Sequence, residues 1–408
     1  MKILIISDLF YPTNAIGALR PTKIAKGLKE KNFEVDVFTR YKVESCPYCD
    51  LLIGFEEIPN ILVGNTEKRA KGINVSNLKF KIKRIYRAIL SLRKSKKMLK
   101  AFKIWTKNKK NNEYDVVFST FGPMSSLWCG LYYKKKNPKV KWICDFRDPI
   151  VDEITPLGFK KYFTNIEKKA CKKADAVVAV SQGYIKRICK NSYLDKAYMI
   201  PNGYDEDDFK PVIKTTNIFT LIYAGQLYEG KRNLTPIFDA IRELILEKKI
   251  SEEKIKIICA GEKETVIQQA GDMISITECV GVVPRKECLN LQFNSDILLL
   301  ATWNNKGEEG VFPGKFLEYM LIRKPIIALI EGNLEGSEVA KVMHEGNFGI
   351  VYEAINKKED FNRLKEYILK QYKLVVAGKN VDYNPEQKVL DRYNYKTIIT
   401  EIEKIING

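Results

Sequence analysis

Lys231 and Arg232 stand side by side in YAGQLYEGKRNLTPI, just ahead of a helical stretch whose first turn holds Pro236. Two cations beside a helix N-terminus suit a diphosphate, because both place positive potential on the same anion. A solvated basic surface is the plain alternative. Gly225 and Gln226 precede the pair, at the end of an apolar run. A second stretch reads GVFPGKFLEYMLIRKPIIALI. Pro313 and Gly314 shape a turn there, Lys315 stands at a helix start, and Glu318 is expected within about the first turn. A carboxylate is favoured at that end of a helix. It also accepts hydrogen bonds from two adjacent hydroxyls, as a ribose offers. Helix capping alone would also explain Glu318.

Two more loops follow apolar runs. WICDFRDPI places Asp145, Arg147 and Asp148 after a strand, where charges buried without partners are costly. They either face a ligand or Arg147 pairs locally with an aspartate. SDLFYPTNAIGALRPTKIA carries Gly17, which lets backbone approach a phosphate near a helix start. It is not a GxGxxG fingerprint, so a dinucleotide site has little support and a plain βα turn remains open.

Other chemistries fit poorly. Cys46 and Cys49 form one CxxC with no second pair near it, and His344 is the single histidine. A zinc site needs about four ligands. The nine cysteines read as small buried thiols of a reduced, cytoplasmic protein. There is no Ser-His-Asp or Cys-His arrangement on nearby strand ends, no Walker A motif and no DxD-like metal pair, so no metal is expected.

Positioning these loops requires a large scaffold. The 408 residues, 45% of them hydrophobic, favour two domains. Strands are expected at Ile3–Ser7, Val35–Thr39, Asp115–Thr120, Trp142–Asp145, Ala176–Ser181 and Ala197–Ile200, with helices between them. Several are continuous apolar runs, which favours parallel strands covered on both faces. After IPNGYDEDDFKP the alternation restarts, from Phe219–Ala224 through Ile255–Cys259, Ile274–Cys279, Asp296–Leu300 and Ile326–Leu329 to Ile350–Tyr352. Asn356 and Glu359 read as a capping box. The reading is α/β: residues 1–212 form one Rossmann-like domain, 213–385 a second, facing across a central cleft, with 386–408 a C-terminal helix. Ligands in such sheets bind at the carboxyl ends of the strands, where all four loops lie. MKILIISDLFYP reads as a first strand rather than a signal peptide, and no apolar run reaches the roughly 18 residues of a membrane span.

The formal charge of +19 implies attraction to polyanions. From Asn77 to Lys110 the chain has no acidic residue, and Ile82, Ile85, Ile89, Leu92, Leu99 and Phe102 recur at roughly helical spacing. Residues 77–110 are read as a helix on an anionic membrane surface, or as a packing helix with a solvated basic side. No nucleic-acid recognition module accompanies the charge, so no nucleic-acid partner is expected.

Taken together, SDLFYP, ADAVVAVS, IPNGYDEDDF, YAGQLYEGKRN and GVFPGKFLEYMLIRKPIIAL resemble the retaining glycosyltransferases of family 4, or group 1, with the GT-B fold. The resemblance covers almost the whole chain. DFRDP and PGKFLEY are most similar to a bacterial branch that builds capsule, O-antigen and other surface polysaccharides. It implies that Glu318 holds the nucleotide ribose, Lys231 grips the donor diphosphate and Gly17 belongs to a loop closing over it. Pro313, Gly314 and Lys315 would set backbone amides near the sugar or phosphate. The segment after Tyr393 would cross back to the first domain. Three departures stand out. Gly310 occupies the position of a family glutamate, with Glu308 or Glu309 as substitutes. Gln226 replaces a usual arginine, for which Arg232 could substitute. The first domain has no histidine at all.

The resemblance implies transfer of a sugar, with retention, from a nucleotide-sugar, UDP- or GDP-linked, to a lipid-linked or saccharide acceptor. No cofactor is expected. Lys231, Arg232 and backbone amides would stabilise charge developing on the diphosphate, with Asp145 and Arg147 as further catalytic candidates. A lipid-linked acceptor headgroup would meet the loop holding Arg20, and the enzyme would lie in the cytoplasm, peripherally on the inner face of the membrane. The alternatives are a nucleotide-sugar epimerase and a non-catalytic nucleotide-sugar or lipid-binding partner of a transferase.

Overall fold

The structure, a computed structural model, describes residues 1–13, 15–58, 78–107, 109, 112–122, 124–151, 155–189, 192–213, 217–228 and 230–408. Asn77 and Lys110, the ends of the basic run, lie outside the described residues. The chain forms two compact units, one of Met1–Gly203 with Tyr395–Gly408, the other of Tyr204–Asn394.

The first unit is built on a parallel sheet of β1 (Lys2–Ile6), β2 (Glu34–Tyr41), β3 (Leu51–Glu56), β4 (Val116–Phe121), β5 (Lys141–Phe146), β6 (Ala176–Ala179) and β7 (Ala197–Met199). Their order is β3-β2-β1-β4-β5-β6-β7. Ile3, Leu4, Ile5 and Ile6 are all fully buried, because α1 (Ile16–Glu30) and α3 (Ser125–Lys136) leave neither face of β1 to water. The edge strand β3 was not expected. Its LLIGFE is only half-buried, so it lacks the continuous apolar signature of the central strands. The last helix, α13 (Tyr395–Asn407), packs on α1 and buries Ile398, Ile399, Ile402, Ile405 and Ile406.

The basic helix α2 (Leu78–Lys107) is packed at one end, as the packing-helix reading expects, and exposed at the other. Met98 and Phe102 are fully buried against the first unit's core, and Phe102 packs edge-on to Phe38 at 4.9 Å. Toward its start, Ile82, Ile85, Tyr86 and Ile89 form an exposed stripe.

The second unit repeats the plan with β8 (Phe219–Gly225), β9 (Ile255–Gly261), β10 (Thr277–Gly281), β11 (Ile297–Asn304), β12 (Ile326–Gly332) and β13 (Gly349–Glu353), ordered β10-β9-β8-β11-β12-β13 and all parallel. Residues 274–276, expected in a strand, belong to a tight helical turn instead, in which Met273 and Ile276 share the buried side. The expected capping box is also absent. Asn356 does precede α11 (Lys357–Val376), but its amide donates to Glu335 at 3.1 Å and caps nothing.

Each sheet reverses its strand order once, between β1 and β4 and between β8 and β11. Loops at the carboxyl ends of these pairs are the usual ligand positions of open α/β sheets.

Candidate functional site

In the first unit, Arg147 shapes that reversal point. The residue follows β5, and its guanidinium donates to Phe121 O at 3.0 Å, Gly122 O at 3.0 Å and Gly17 O. It thereby ties the end of β4 to the first turn of α1. Burial in this carbonyl nest lowers its pKa, against the pull of Asp145 and Asp148. Gly122 is required here: it has φ of +131°, and a Cβ would lie 2.4 Å from Arg147 Nη2. The ion pair expected for Arg147 is not what its hydrogen bonds make. Asp145 instead accepts a bidentate pair from Arg20, at 2.8 and 3.0 Å, and a bond from Thr120 Oγ1 at 2.7 Å.

Asp145 is fully buried and Arg20 is 2% exposed. Burial alone would lower the Arg20 pKa, but Asp145 outweighs it and the net shift is upward. The rest of the Arg20 fork donates to Pro201 O at 2.7 Å and Ile200 O at 3.0 Å. The Arg20 donors are therefore consumed inside the unit. A similar buried pair joins Asp8 and Arg40 at 2.6 Å.

The second unit gathers a polar, cationic cluster at its reversal point. β8 delivers Gly225 and Gln226. Gln226 O accepts from Tyr223 Oη at 2.9 Å and from Arg232 Nη1 at 3.1 Å. Burial pushes the Tyr223 hydroxyl up to about 12, which keeps it a donor. The Arg232 guanidinium lies 4.6 Å from the Tyr228 ring and 5.6 Å from Trp303, at the end of β11. Lys231 Nζ lies 5.1 Å from the Trp303 ring and 2.5 Å from Glu308 Oε1. Two cations thus share an aromatic platform, which orients them without neutralising both.

The helix α9 (Gly314–Ile322) starts after Pro313, and no side chain caps it. Lys315 Cε comes within 3.6 Å of where a Gly225 Cβ would be, so Lys315 stands over the end of β8. Its Nζ is 3.5 Å from Glu318, and Arg285 Nε donates to the same carboxylate at 3.3 Å. Glu318 lies one residue past the first turn, where it was expected, and is held half-buried between two cations. Gln226, Arg232, Trp303 and Lys231 are therefore linked through one run of contacts, and Lys315, Glu318 and Arg285 through another that stands over Gly225.

The two substitutes for the glutamate missing at Gly310 separate cleanly. Glu308 faces Lys231, whereas Glu309 turns back to accept from Gly307 N–H at 2.9 Å. Trp303, Tyr228 and Arg285 were not foreseen. ATW at the end of an apolar strand was the only trace of the first in the sequence. His344 is exposed near the end of α10 (Glu338–Glu345), at the edge of a shallow pocket lined by Glu335, Lys341 and Glu353. No group of three or more potential metal-ligating side chains occurs among the described residues.

Residues 22–208 match the model of Glycosyltransferase Family 4. No curated protein matches the chain. Solved structures of similar fold include a sucrose-phosphate synthase from Thermosynechococcus elongatus, at 15% identity, covering 100% of this chain and 98% of the other, with a TM-score of 0.63. A UDP-forming alpha, alpha-trehalose-phosphate synthase from Burkholderia xenovorans is 10% identical over 100% and 98% of the two chains, with a TM-score of 0.58. A UDP-N-acetylglucosamine 2-epimerase is 10% identical over 96% and 94%, with a TM-score of 0.50. Residues 22–208 thus resemble Glycosyltransferase Family 4, and the two parallel-sheet Rossmann-like units have the GT-B fold found in glycosyltransferases.

Proposed function

We propose that the protein transfers a sugar, with retention, from a UDP- or GDP-sugar to a lipid-linked acceptor in the assembly of a bacterial surface polysaccharide such as capsule or O-antigen. The observation that carries the donor assignment is the pair of cations Arg232 and Lys231 on Trp303, with Lys315, beside Glu318, standing over the end of β8. A nucleoside diphosphate matches this chemistry end to end. Glu318 accepts from two adjacent ribose hydroxyls, displacing Arg285. Lys231 and Arg232 take the diphosphate, together with the uncapped start of α9. As the sugar–phosphate bond breaks, negative charge grows on the diphosphate, and these fixed donors stabilise it more than they stabilise the intact donor. Glu308 stands where it can accept from a sugar hydroxyl once Lys231 has moved to phosphate. The UDP-forming synthase among the similar structures fits this reading of the donor.

Arg147 acts in this scheme by holding the start of α1 and the end of β4 in register, and Asp145 by fixing Arg20. Gly17 contributes its carbonyl to Arg147. The domain limits 1–212, 213–385 and 386–408 remain part of the proposal for the functional modules. The exposed stripe of α2, flanked by Lys83, Arg87, Arg93, Lys94, Lys96 and Lys97, supports a peripheral position on the inner, anionic face of a membrane, where a lipid-linked acceptor would be found.

The test is thermal unfolding with a panel of nucleoside diphosphates and nucleotide-sugars, on the wild type and on Glu318→Ala and Lys231→Ala. A ligand that binds only the folded state raises its apparent stability. The expected result is a shift selective for one base, diminished in both variants. No shift with any member of the panel would overturn the proposal. The epimerase fold in the comparison set keeps a second reading in play, and conversion of the donor with no acceptor present would select it.

A further inference from the structure

We propose that Cys46 and Cys49 are a redox-active dithiol, closed to a disulfide by a low-molecular-weight disulfide such as oxidised glutathione. The inference rests on the first unit alone and is independent of the transferase reading. All nine cysteines carry free thiols, so the question is which of them can react.

Cys46, Pro47, Tyr48 and Cys49 form the turn that connects β2 to β3. Cys46 is partly exposed and Cys49 is 4% exposed. Both pack against the same core cluster beneath the sheet. The Cys46 sulfur interacts with the Cys49 thiol and with the backbone N–H groups of Tyr48 and Cys49. Lys29 on α1 is fixed over the turn, donating to Cys49 O at 3.1 Å and pairing with Asp50 at 3.2 Å. Donors and a cation converging on one accessible sulfur are the surroundings that favour a thiolate. Against the opposing effect of burial, the Cys49 thiol first and then the other groups lower the Cys46 pKa to about 7. The same coupling, with burial, pushes Cys49 well up, so it waits as a protonated thiol.

No other cysteine combines these features. Cys171 and Cys189 also interact, but they are 0% and 2% exposed and no small disulfide can reach them. Cys279 and Cys288 are partly exposed, and burial raises both.

The reaction balances without another partner. The Cys46 thiolate attacks one sulfur of the small disulfide, forms a mixed disulfide and expels one thiolate. Cys49 then loses its proton and attacks the Cys46 sulfur, forming the Cys46–Cys49 bond and expelling the second thiolate. The Cys46 thiolate and the Cys49 thiol are oxidised, and the small disulfide is reduced to one thiolate and one thiol, the latter carrying the proton from Cys49. Tyr48 lies between the two sulfurs in sequence and packs edge-on against Tyr11, with ring centroids 5.2 Å apart. The dithiol turn therefore touches the loop between β1 and α1.

The experiment incubates the reduced full-length protein with oxidised glutathione, quenches it with acid, unfolds it, alkylates free thiols and analyses the peptides by mass spectrometry. The expected peptide containing both Cys46 and Cys49 is lighter by two hydrogens and unalkylated, while the peptides of Cys129, Cys144, Cys171, Cys189 and Cys259 are alkylated. In Cys49→Ser a glutathione adduct should accumulate on Cys46, and in Cys46→Ser none should form at Cys49. Both cysteines alkylated in the wild type, or a lasting glutathione adduct on wild-type Cys46, would overturn the proposal. A second readout needs no variant. Alkylation of Cys46 in the native reduced protein should level off above a pH of about 7. A rate that still climbs toward the ordinary thiol range of about 8.5 would overturn it too.

Discussion

Glu308→Gln isolates the role of the Lys231–Glu308 pair. In the free protein Lys231 Nζ lies 2.5 Å from Glu308 Oε1, with the lysine side chain 46% exposed and the glutamate 18%. An anionic ligand must draw the ammonium away from that carboxylate. The lysine is exposed enough for solvent to screen the pair, so its worth is at most about 1 kcal/mol. A neutral amide of the same shape removes this competition while keeping the packing. Nucleoside diphosphate binding should therefore tighten, by up to about 5-fold. The intact nucleotide-sugar should instead bind more weakly, because a charged acceptor for a sugar hydroxyl is lost at the same time, worth about 1.5 kcal/mol or more, which exceeds the gain. Titration calorimetry of wild type and variant with UDP, GDP and their hexose conjugates, at one ionic strength, reads both quantities. Weaker binding of the free diphosphate by Glu308→Gln would refute the reasoning, since Glu308 would then be orienting Lys231 toward the ligand and not restraining it.

Other expectations concern the scaffold. Gly27→Ala should destabilise the first unit: helix propensity favours Ala by about 1 kcal/mol, but its Cβ would stand 2.4 Å from Ile399 Cγ1, and overpacking costs about 1–3 kcal/mol. Urea unfolding would read the net loss. Asp145→Asn should cost about 3–5 kcal/mol by leaving Arg20 buried without its counter-charge, whereas Arg20→Met combined with Asp145→Leu should recover much of that loss. Ile85→Glu with Ile89→Glu should leave the melting temperature unchanged, because both side chains are exposed, yet abolish sedimentation with anionic vesicles. Wild-type sedimentation should weaken as salt rises.

The sheets were legible because their central strands are continuous apolar runs, and burial on both faces writes that pattern directly into sequence. β3 was not, since a half-buried edge strand interrupted by Gly54 carries no such run. The loops that gather residues in the second unit were visible as charge next to a strand end. Their partners were not. Arg20 and Asp145 meet across 125 residues, and nothing local distinguishes Arg20 from a surface arginine. Trp303 becomes a platform for two cations only because β11 and β8 are neighbours, a fact of strand order that no short window contains. The choice between Glu308 and Glu309 turns on the path of a few loop residues.

The placement of α13 has a consequence for how the chain is made. The first unit closes over Ile398, Ile399, Ile402, Ile405 and Ile406, which are synthesised only after the whole of residues 204–394. Folding during translation proceeds from the N-terminus. Here the order inverts: the second unit has all its strands in hand while α1 still shows the ribosome an uncovered apolar flank. The unit begun first is finished last, and in the interval its nascent chain is a substrate for chaperones.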